Sequence, residues 1–497
     1  MTRYFFDITG TLDHLRQQKY FTGIQRVVVT LAETTSHGLA DEQAFISFLD
    51  RRRKSYVVVP CSHLERGTLT DPDLLRHAFG IRTPRQTRAT PNKLDKYEGQ
   101  LLRRAFHGLR HAVFTHLGRE KYLHDHMPFA DQKTGRKPKP IGRKQLSSIQ
   151  EIGSPGDHLV VMDAVWGQPD LVAELEACKA QGIQVHSMLH DLIPVVAPQF
   201  TYNENLRYFE PWLRRSAQYT ASYLAVSHST GRDLSEYLAT NNISRPVRVT
   251  PLAQSALPRP ALAEPSHGEG KIDNTKPSMP NPVIMPQRTR ILLTHPYVLC
   301  VGTLEIRKNI WKIAQVWERL RTVEGLALPK LVFAGKRGWM IEDFDRMMTA
   351  TGQLSGWIDI IEDASDTELE ALYTHSLFTI TASFYEGWGL PIGESLAYGK
   401  TAVVSNTSSM PEVGGDLVTY CDPYSIDSIF QACRWLIEDG DYRANLEARI
   451  KGAPLRTWED VAKDLLTAVE LPTSPFQTTR SVGKVHLGAT HGRSASS

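Results

Sequence analysis

Short apolar runs alternate with amphipathic stretches along most of the chain. RYFFDITG (3–10) predicts a buried strand that ends at a turn, and TGIQRVVVTLAETTSHG (22–38) then has helical spacing with a glycine stop. The alternation returns in HLVVMDAVW (158–166), which PDLVAELEACKAQG (169–182) follows. Because short apolar strands separated by helices are typical of parallel sheets covered on both faces, the pattern predicts an α/β protein with doubly wound sheets.

The alternation occurs in two series, which predict two domains. Eight prolines within 255–296 and little apolar periodicity mark the junction between the series, so a linker or an excursion is expected there. A last amphipathic helix is predicted near the end of the chain, before a Ser, Thr, Gly and Arg-rich tail that is expected to be disordered. The predicted bounds are 1–255 and 296–440 for the domains, 256–295 for the junction, 441–471 for the terminal helices and 472–497 for the tail.

Positive charge is concentrated in the first domain. The whole chain has a net charge of only +3, but residues 1–150 hold 26 Lys and Arg against 14 Asp and Glu, which is +12 and leaves −9 for the rest. Much of this charge lies in 55–145, a helix-leaning stretch that departs from the alternation and is interpreted as an insertion in the first domain. A basic surface of this kind fits acidic lipid headgroups, an anionic acceptor or nucleic acid, and also an ordinary solvated face.

Cysteine usage and hydropathy predict a cytoplasmic protein. The five cysteines are odd in number and have no CxxC spacing, which favours reduced thiols over a disulfide framework or a zinc site. No apolar run approaches the ~18 residues needed to cross a bilayer, and the N-terminal MTRYFFDITG lacks a signal-peptide core. Any membrane contact is therefore expected to be peripheral, on the inner face of the membrane.

The stretch SFYEGWGLPIGESLAYGK (383–400), between a predicted strand and a predicted helix, has two acids with three glycines between them. Unpaired amides at the helix N-terminus and in the glycine loop form a donor surface that suits phosphate. Glu386 and Glu394, at the two edges, suit the hydroxyls of sugar rings on either side of such an anion. A nucleotide-sugar has this layout, whereas a dinucleotide fingerprint is disfavoured because three residues, not two, separate its second and third glycines.

Two basic loops follow other strands of the second domain. VGTLEIRKNI (301–310) supplies Arg307 and Lys308, and AGKRG (334–338) supplies Lys336 and Arg337. Each pair alone is more often a solvated surface pair. Because both loops follow strands of the same predicted sheet as the acid and glycine loop, they are candidates to converge on one diphosphate.

These motifs together resemble retaining glycosyltransferases of family 4. EGWGLPIGE is similar to the acid-x7-acid signature of that family, and VGTLEIRKN and AGKRGW are similar to its companion loops. HDLIP and AVSHSTGRDL in the first domain match more loosely. The resemblance covers most of 296–440 and implies the GT-B architecture, in which two facing Rossmann-like domains enclose a deep cleft with the acceptor on the side of the first domain.

The resemblance also implies roles for individual residues. Glu394 would hold the donor ribose, Glu386 would contact the transferred sugar, and Lys308 would bind the diphosphate. His190 would reach the donor sugar from the opposite domain, and the terminal helix around Trp458 would pack back on the first domain. Further donor-binding positions are the loop residues Gly387, Trp388, Gly389 and Leu390, and Gly23 in the first domain.

One position departs from the family pattern. Many members have Arg two residues after the strand in the first basic loop, where this chain has Thr303. Arg307, or the pair of Lys336 and Arg337, is the candidate replacement for that cation. The two DxD triplets, DPD (71–73) and DGD (439–441), are not in convincing strand-end loops, so neither a metal nor another cofactor is expected.

The resulting hypothesis is an enzyme that transfers a sugar with retention from a nucleotide-diphosphate-sugar to a glycan or a lipid-linked acceptor in surface polysaccharide biosynthesis. GDP-mannose is the first choice of donor, so the activity expected is that of a mannosyltransferase. A non-catalytic nucleotide-sugar-binding partner subunit of the same fold is the alternative. No nucleic-acid partner is expected, because the sequence has no aromatic and basic platform of the RNA-binding type.

Overall fold

The computed structural model describes residues 1–51, 53–83, 138–255 and 285–472, which form two α/β domains. The first domain is built on an eight-stranded sheet of order β4-β3-β2-β1-β5-β6-β7-β8. Its strands are β1 (Tyr4–Asp7), β2 (Ala44–Asp50), β3 (Ser55–Pro60), β4 (Ser147–Ser148), β5 (His158–Val161), β6 (Gln184–Leu189), β7 (Thr220–Ala225) and β8 (Val247–Val249). The α/β class predicted from the sequence is confirmed.

Helices cover both faces of this sheet. Alternate residues of β1 show why: Tyr4 and Phe6 join one apolar cluster, and Phe5 joins the cluster on the other face. Within the described residues of the first domain, the helices are α1 (Thr9–Gln17), α2 (Gly23–His37), α3 (Pro72–Ala78), α4 (Ile149–Ile152), α5 (Pro169–Ala180), α6 (Ile193–Val196), α7 (Asn203–Ser216) and α8 (His228–Thr240).

The stretch 55–145 is not wholly separate from the first sheet. Its first residues, Ser55–Pro60, form β3, which pairs antiparallel with β2 over six residue pairs and makes the sheet mixed rather than parallel. The side chains of Tyr56, Val57, Val58 and Val59 are all buried, so the apolar run gains burial on both faces of the sheet. Residues 84–137 of the predicted insertion lie outside the described residues.

The second domain has a six-stranded sheet of order β11-β10-β9-β12-β13-β14, parallel at every pairing that is described. The strands are β9 (Tyr297–Val301), β10 (Lys330–Ala334), β11 (Ile358–Ile361), β12 (Phe378–Thr381), β13 (Ala402–Ser405) and β14 (Thr419–Cys421). The helices are α9 (Gln287–Leu292), α10 (Ile310–Leu320), α11 (Glu342–Gly356), α12 (Asp366–His375), α13 (Leu390–Ala397), α14 (Met410–Gly414), α15 (Ile426–Glu438), α16 (Gly440–Gly452) and α17 (Trp458–Glu470).

The second domain begins earlier than its first strand. Residues 285–295 were expected to belong to the linker, but α9 lies there, with Thr289 and Leu292 buried. The Thr289 hydroxyl donates to the Glu368 carboxylate at 2.7 Å, which anchors α9 to α12. The rest of the predicted linker, 256–284, and the tail from 473 lie outside the described residues.

The terminal helix α17 joins the core of the first domain. Trp458, Val461 and Leu465 line its buried face and belong to the same apolar cluster as residues of α2. That cluster also contains Trp388 and Ile392 of the second domain, so one apolar cluster extends across the boundary between the domains. Among the described residues, no helix is both long enough and apolar enough to span a bilayer.

Candidate functional site

The loop between β12 and α13 forms one wall of the cleft between the domains. β12 ends at Thr381, and α13 begins at Leu390 with Pro391 in its first turn, where a missing amide has no cost. Gly389 precedes the helix with φ of 107°, a conformation that side chains disfavour. The sequence therefore builds a sharp strand-to-helix turn whose first helical amides have no partner within the helix.

Glu386 lies in this turn and is held by two cations. Its carboxylate accepts from Lys308 Nζ at 2.6 Å and pairs with Arg307 Nη1 at 2.6 Å, and the residue is only 7% exposed. Burial alone would raise the pKa of Glu386, but the charges of Arg307 and Lys308 hold it at about 2. Glu386 is therefore ionised at neutral pH in a site that is nearly closed to water.

Lys308 reaches Glu386 from the end of a neighbouring strand. It ends the short 3₁₀ helix Ile306–Lys308 after β9, and its stem crosses Gly302, where a Cβ would be 3.3 Å from Lys308 Cε. Asn309 fixes the loop by donating to the carbonyl oxygens of Ala382 at 3.1 Å and Pro423 at 2.9 Å. The predicted convergence of Lys308 and Glu386 is thus present in the structure.

Glu394 lies on α13, eight residues after Glu386. Tyr373 of α12 donates its phenol proton to the Glu394 carboxylate at 2.6 Å, and the ring of Tyr373 stacks on that of Tyr398. No sequence motif indicates Tyr373, because it reaches Glu394 through helix packing. This contact fixes the orientation of the second acid.

The two domains touch at Gly387. A Cβ on Gly387 would be 1.8 Å from the carbonyl oxygen of His190, which follows β6 in the first domain. The Thr230 hydroxyl of α8 lies 3.3 Å from the Gly387 carbonyl oxygen. The glycine loop is therefore closed against the first domain.

His190 occupies the first-domain side of the same contact. Its Nε2 donates to the Met162 carbonyl oxygen at 2.8 Å, because a carbonyl can only accept, and this leaves Nδ1 as an acceptor in the neutral ring. Burial lowers the pKa of His190. Burial also raises the pKa of the neighbouring Asp191, which accepts from the Ile193 amide at 3.1 Å.

The other loop residues divide into those that face the cleft and those that pack. Gly23 opens α2 opposite Leu390, whose Cδ1 would be 3.6 Å from a Cβ at that position. Trp388 was included in the donor-binding set, but its indole is buried and donates to the Ala253 carbonyl oxygen at 3.1 Å. Only the backbone of Trp388 remains available to a ligand.

The second basic loop does not join the ion pairs around Glu386. Arg337 donates to Glu362 at 2.8 Å and also pairs with Asp345 at the domain surface. Lys336 is exposed and approaches Gln18 of the first domain at 3.5 Å. Thr303 lies against Gly338, where a Cβ would be 2.8 Å from its methyl group.

Residues in α14 and directly before it make contacts that the sequence did not predict. Glu412 of α14 accepts from the amides of His228 and Ser229, at 2.7 and 2.8 Å, and so stabilises the N-terminus of α8 in the opposite domain. Ser409 donates to the carbonyl oxygens of Glu386 and Trp388, both at 2.8 Å. Nothing in the local sequence around Glu412 indicates that its partner is a helix of the other domain.

Comparison with known proteins defines the class of the second domain. Residues 284–452 match the family described as Glycosyl transferases group 1. This confirms the prediction of an enzyme of the glycosyltransferase class. The finer assignment to family 4 stays a prediction.

Relatives and a solved structure extend over both domains. The chain is 28% identical to O-antigen chain mannosyltransferase B of Escherichia coli over 285 residues, which cover 57% of this chain and 69% of that protein. It is 25% identical to the serotype-specific mannosyltransferase WbdA of Escherichia coli over 60% of this chain, which is about one third of the length of WbdA (35%). The crystal structure of Anabaena Alr3699/HepE in complex with UDP and glucose matches 94% of this chain and 99% of its own with a TM-score of 0.52 at 11% identity. The fold is GT-B, as predicted.

Proposed function

We propose that the protein transfers a sugar from a nucleotide-diphosphate-sugar to a glycan or lipid-linked acceptor, with retention of the anomeric configuration. The observation that carries this proposal is the buried carboxylate of Glu386, which two cations hold at the N-terminal end of α13. A metal-free site for a diphosphate needs cations and amides fixed beforehand, and a sugar needs a fixed carboxylate beside them. Both features lie within one cleft here.

The donor would lie across this loop with its charged bridge in the middle. Lys308 and the amides of Gly387 to Leu390 would contact the diphosphate, and Glu394 would hold the ribose in the orientation that Tyr373 fixes. Glu386 would contact the transferred sugar, and His190 would meet the same sugar from the first domain. Gly23 lets the first domain approach Leu390 without a side chain between them.

The chemistry would depend on charge stabilisation and not on a protein nucleophile. The acceptor hydroxyl would attack the anomeric carbon on the face from which the diphosphate departs, and the departing phosphate would take the hydroxyl proton. Lys308 would offset the charge that develops on the leaving group, and the Glu386 carboxylate would stabilise positive character at the anomeric carbon. Closure of the domains would exclude the water that otherwise hydrolyses the donor.

We propose that this site works without a metal. The first acid of each DxD triplet caps a helix: the Asp71 side chain accepts amides at the start of α3, and Asp439 accepts an amide at the start of α16. These two carboxylates are therefore committed to local structure.

GDP-mannose is the donor that we propose, and the names of the two Escherichia coli relatives support mannosyl transfer. The name O-antigen chain mannosyltransferase B also supports a polysaccharide acceptor of the O-antigen kind. We further propose a cytoplasmic protein whose basic first domain meets the inner membrane face where a lipid-linked acceptor would be presented. A non-catalytic partner subunit that binds the same donor is the alternative proposal.

A donor panel tests the proposal. Purified protein is offered GDP-mannose, UDP-glucose and other nucleotide-sugars, and the melting temperature and the release of nucleoside diphosphate are both recorded. We expect GDP-mannose to raise the melting temperature most and to be turned over slowly by hydrolysis. Stabilisation without any turnover, with or without an oligosaccharide acceptor, would favour the partner subunit.

A further inference from the structure

We propose that Arg307 is a positioning residue for Glu386 and that Glu305 holds Arg307 in place, so that the three side chains act as one unit, Glu305–Arg307–Glu386. This inference rests on the proposed function, because it assigns a task to Arg307 within the same reaction. It also replaces the hypothesis that Arg307 substitutes for the phosphate-binding arginine that is missing at Thr303.

The contacts of Arg307 are directed into the protein. Its Nη1 lies 2.6 Å from Glu386 Oε2 and donates to the Tyr385 carbonyl oxygen at 2.7 Å. Its Nη2 pairs with Glu305, and its backbone carbonyl accepts from the Phe384 amide at 2.9 Å. Arg307 is thus bonded to Glu386 and to the two residues before it, and its side chain is only 14% exposed.

The Glu305 carboxylate is almost fully buried and pairs with Arg307. Its side chain is 2% exposed, and Oε2 is buried with no hydrogen-bond partner among the described residues. A buried carboxylate is costly unless a cation compensates it, and Arg307 is the cation that pairs with it. The most direct reason to keep such a residue is that it fixes the guanidinium.

The neighbouring cation, Lys308, is held less firmly than Arg307. Among the described residues, Lys308 makes one ion pair, to Glu386 Oε1 at 2.6 Å. A lysine ammonium is a flexible point charge that changes partners easily. A donor diphosphate can therefore draw Lys308 from Glu386, while the forked, doubly anchored Arg307 stays. Arg307 is then the cation that keeps Glu386 ionised and oriented during the reaction.

The surroundings of Glu386 explain why this matters. Burial opposes its charge, and Asp191 from the first domain and Glu305 from its own domain add negative charge nearby. Arg307 and Lys308 oppose these effects, with help from the Ser383 side chain. If Arg307 is removed and Lys308 moves to the phosphate, Glu386 will protonate at a higher pH.

The test compares Arg307→Gln, Arg307→Lys and Glu305→Gln with Arg434→Gln, a control that removes an exposed pair with Glu438. Donor turnover is measured from pH 4 to pH 9, together with the Kd of GDP and the melting temperature. For Arg307→Gln we expect kcat to fall by about 10²-fold, as for a misplaced reacting group. We also expect the acid limb of the profile to move to higher pH and the Kd of GDP to change by less than about threefold.

The variants separate the possible outcomes. Arg307→Lys should restore part of kcat, Glu305→Gln should lower kcat by less than Arg307→Gln because it only loosens the guanidinium, and Arg434→Gln should match the wild type. A large rise in the Kd of GDP with an unmoved acid limb would show that Arg307 binds the diphosphate, which overturns the inference alone. If the wild type turns over no nucleotide-sugar, the proposed function fails and this inference fails with it.

Discussion

The carbonyl oxygen of His190 lies in the place that a side chain on Gly387 would occupy. A Cβ there would be 1.8 Å from the oxygen, which no rearrangement of a flexible side chain can relieve, because both partners are backbone. The contact joins the strand-end loop of one domain to the glycine loop of the other. Closure of the cleft and the shape of the candidate site are therefore set at the same point.

A methyl group at Gly387 should prevent closure. We expect Gly387→Ala to lower donor turnover by at least about 100-fold, because displacements near 1 Å can cost that much. In the presence of donor, small-angle scattering should give a larger radius of gyration for Gly387→Ala than for the wild type. Gly440→Ala is the matched control, since the nearest atom to its Cβ is the mobile end of Arg443 at 3.7 Å. Full activity of Gly387→Ala would show that this closed contact is not used in catalysis.

Glu412 should favour the closed state. Its two charge-assisted hydrogen bonds to α8 exist only when the domains meet, and each such bond contributes about 1.5–3 kcal/mol. We expect Glu412→Gln to raise the KM for the donor about tenfold, with a smaller effect on the melting temperature. Glu438→Gln, which loses an exposed pair with Arg434, is the control. An unchanged KM and an unchanged scattering profile would show that Glu412 does not stabilise the closed state.

Tyr373 should act on the donor through Glu394. Removal of its hydroxyl in Tyr373→Phe leaves the packing in place and frees the Glu394 carboxylate from a 2.6 Å hydrogen bond. We expect the KM for the donor to rise several-fold with little change in kcat, because ribose binding is present in both the ground state and the transition state. Tyr420→Phe, which loses a hydrogen bond to the Gly415 carbonyl oxygen, is the control. A fall in kcat with an unchanged KM would contradict this role.

A histidine pair on the neighbouring strands β5 and β6 of the first sheet should make the free energy of unfolding depend on pH. His158 Nδ1 lies 3.1 Å from His186 Nε2, and His186 Nδ1 lies 2.8 Å from the Ser222 hydroxyl. Burial, with the nearby charges of His158 and Arg248, lowers the pKa of His186 to about 3, and burial also lowers that of His158. The unfolded chain therefore binds more protons than the folded one between pH 6.5 and pH 3.

The stabilisation from this pair should thus be complete above about pH 6.5 and should be lost as the pH falls. For His186 the loss amounts to about 1.4 kcal/mol per pH unit within that window. Chemical denaturation at pH 7, 6, 5 and 4 measures it, and His186→Gln should have a shallower slope over the same range. Equal slopes for the two proteins would show that His186 is not the group responsible.

The sequence predicted the parts of the site that are local in the chain. The strand, turn and helix around Glu386 follow from an apolar run, a glycine loop and Pro391, all within a few residues. Lys308 could be placed beside Glu386 because strand ends of one parallel sheet lie at the same edge. In both cases the spacing along the chain determines the position in space.

The remaining contacts depend on packing between distant segments. Tyr373 contacts Glu394 because α12 packs beside α13. Glu412 contacts α8 because the two domains meet. No periodic pattern in the sequence predicts either contact. Similarly, Ser55–Pro60 forms a strand because it pairs with β2, although the basic residues around it indicated an insertion. Arg337 was predicted as a phosphate ligand, but in the structure it pairs with the surface carboxylates of Asp345 and Glu362.

The most direct test of the central claim compares donor turnover by the wild type with turnover by Glu386→Gln and Lys308→Gln. GDP-mannose and an oligosaccharide acceptor are supplied, and the anomeric configuration of the product is read by NMR. The account predicts retention of configuration by the wild type and a loss of at least about 10²-fold in kcat for each variant, since each removes a preorganised charge. Turnover that both variants preserve, or a product of inverted configuration, would contradict it.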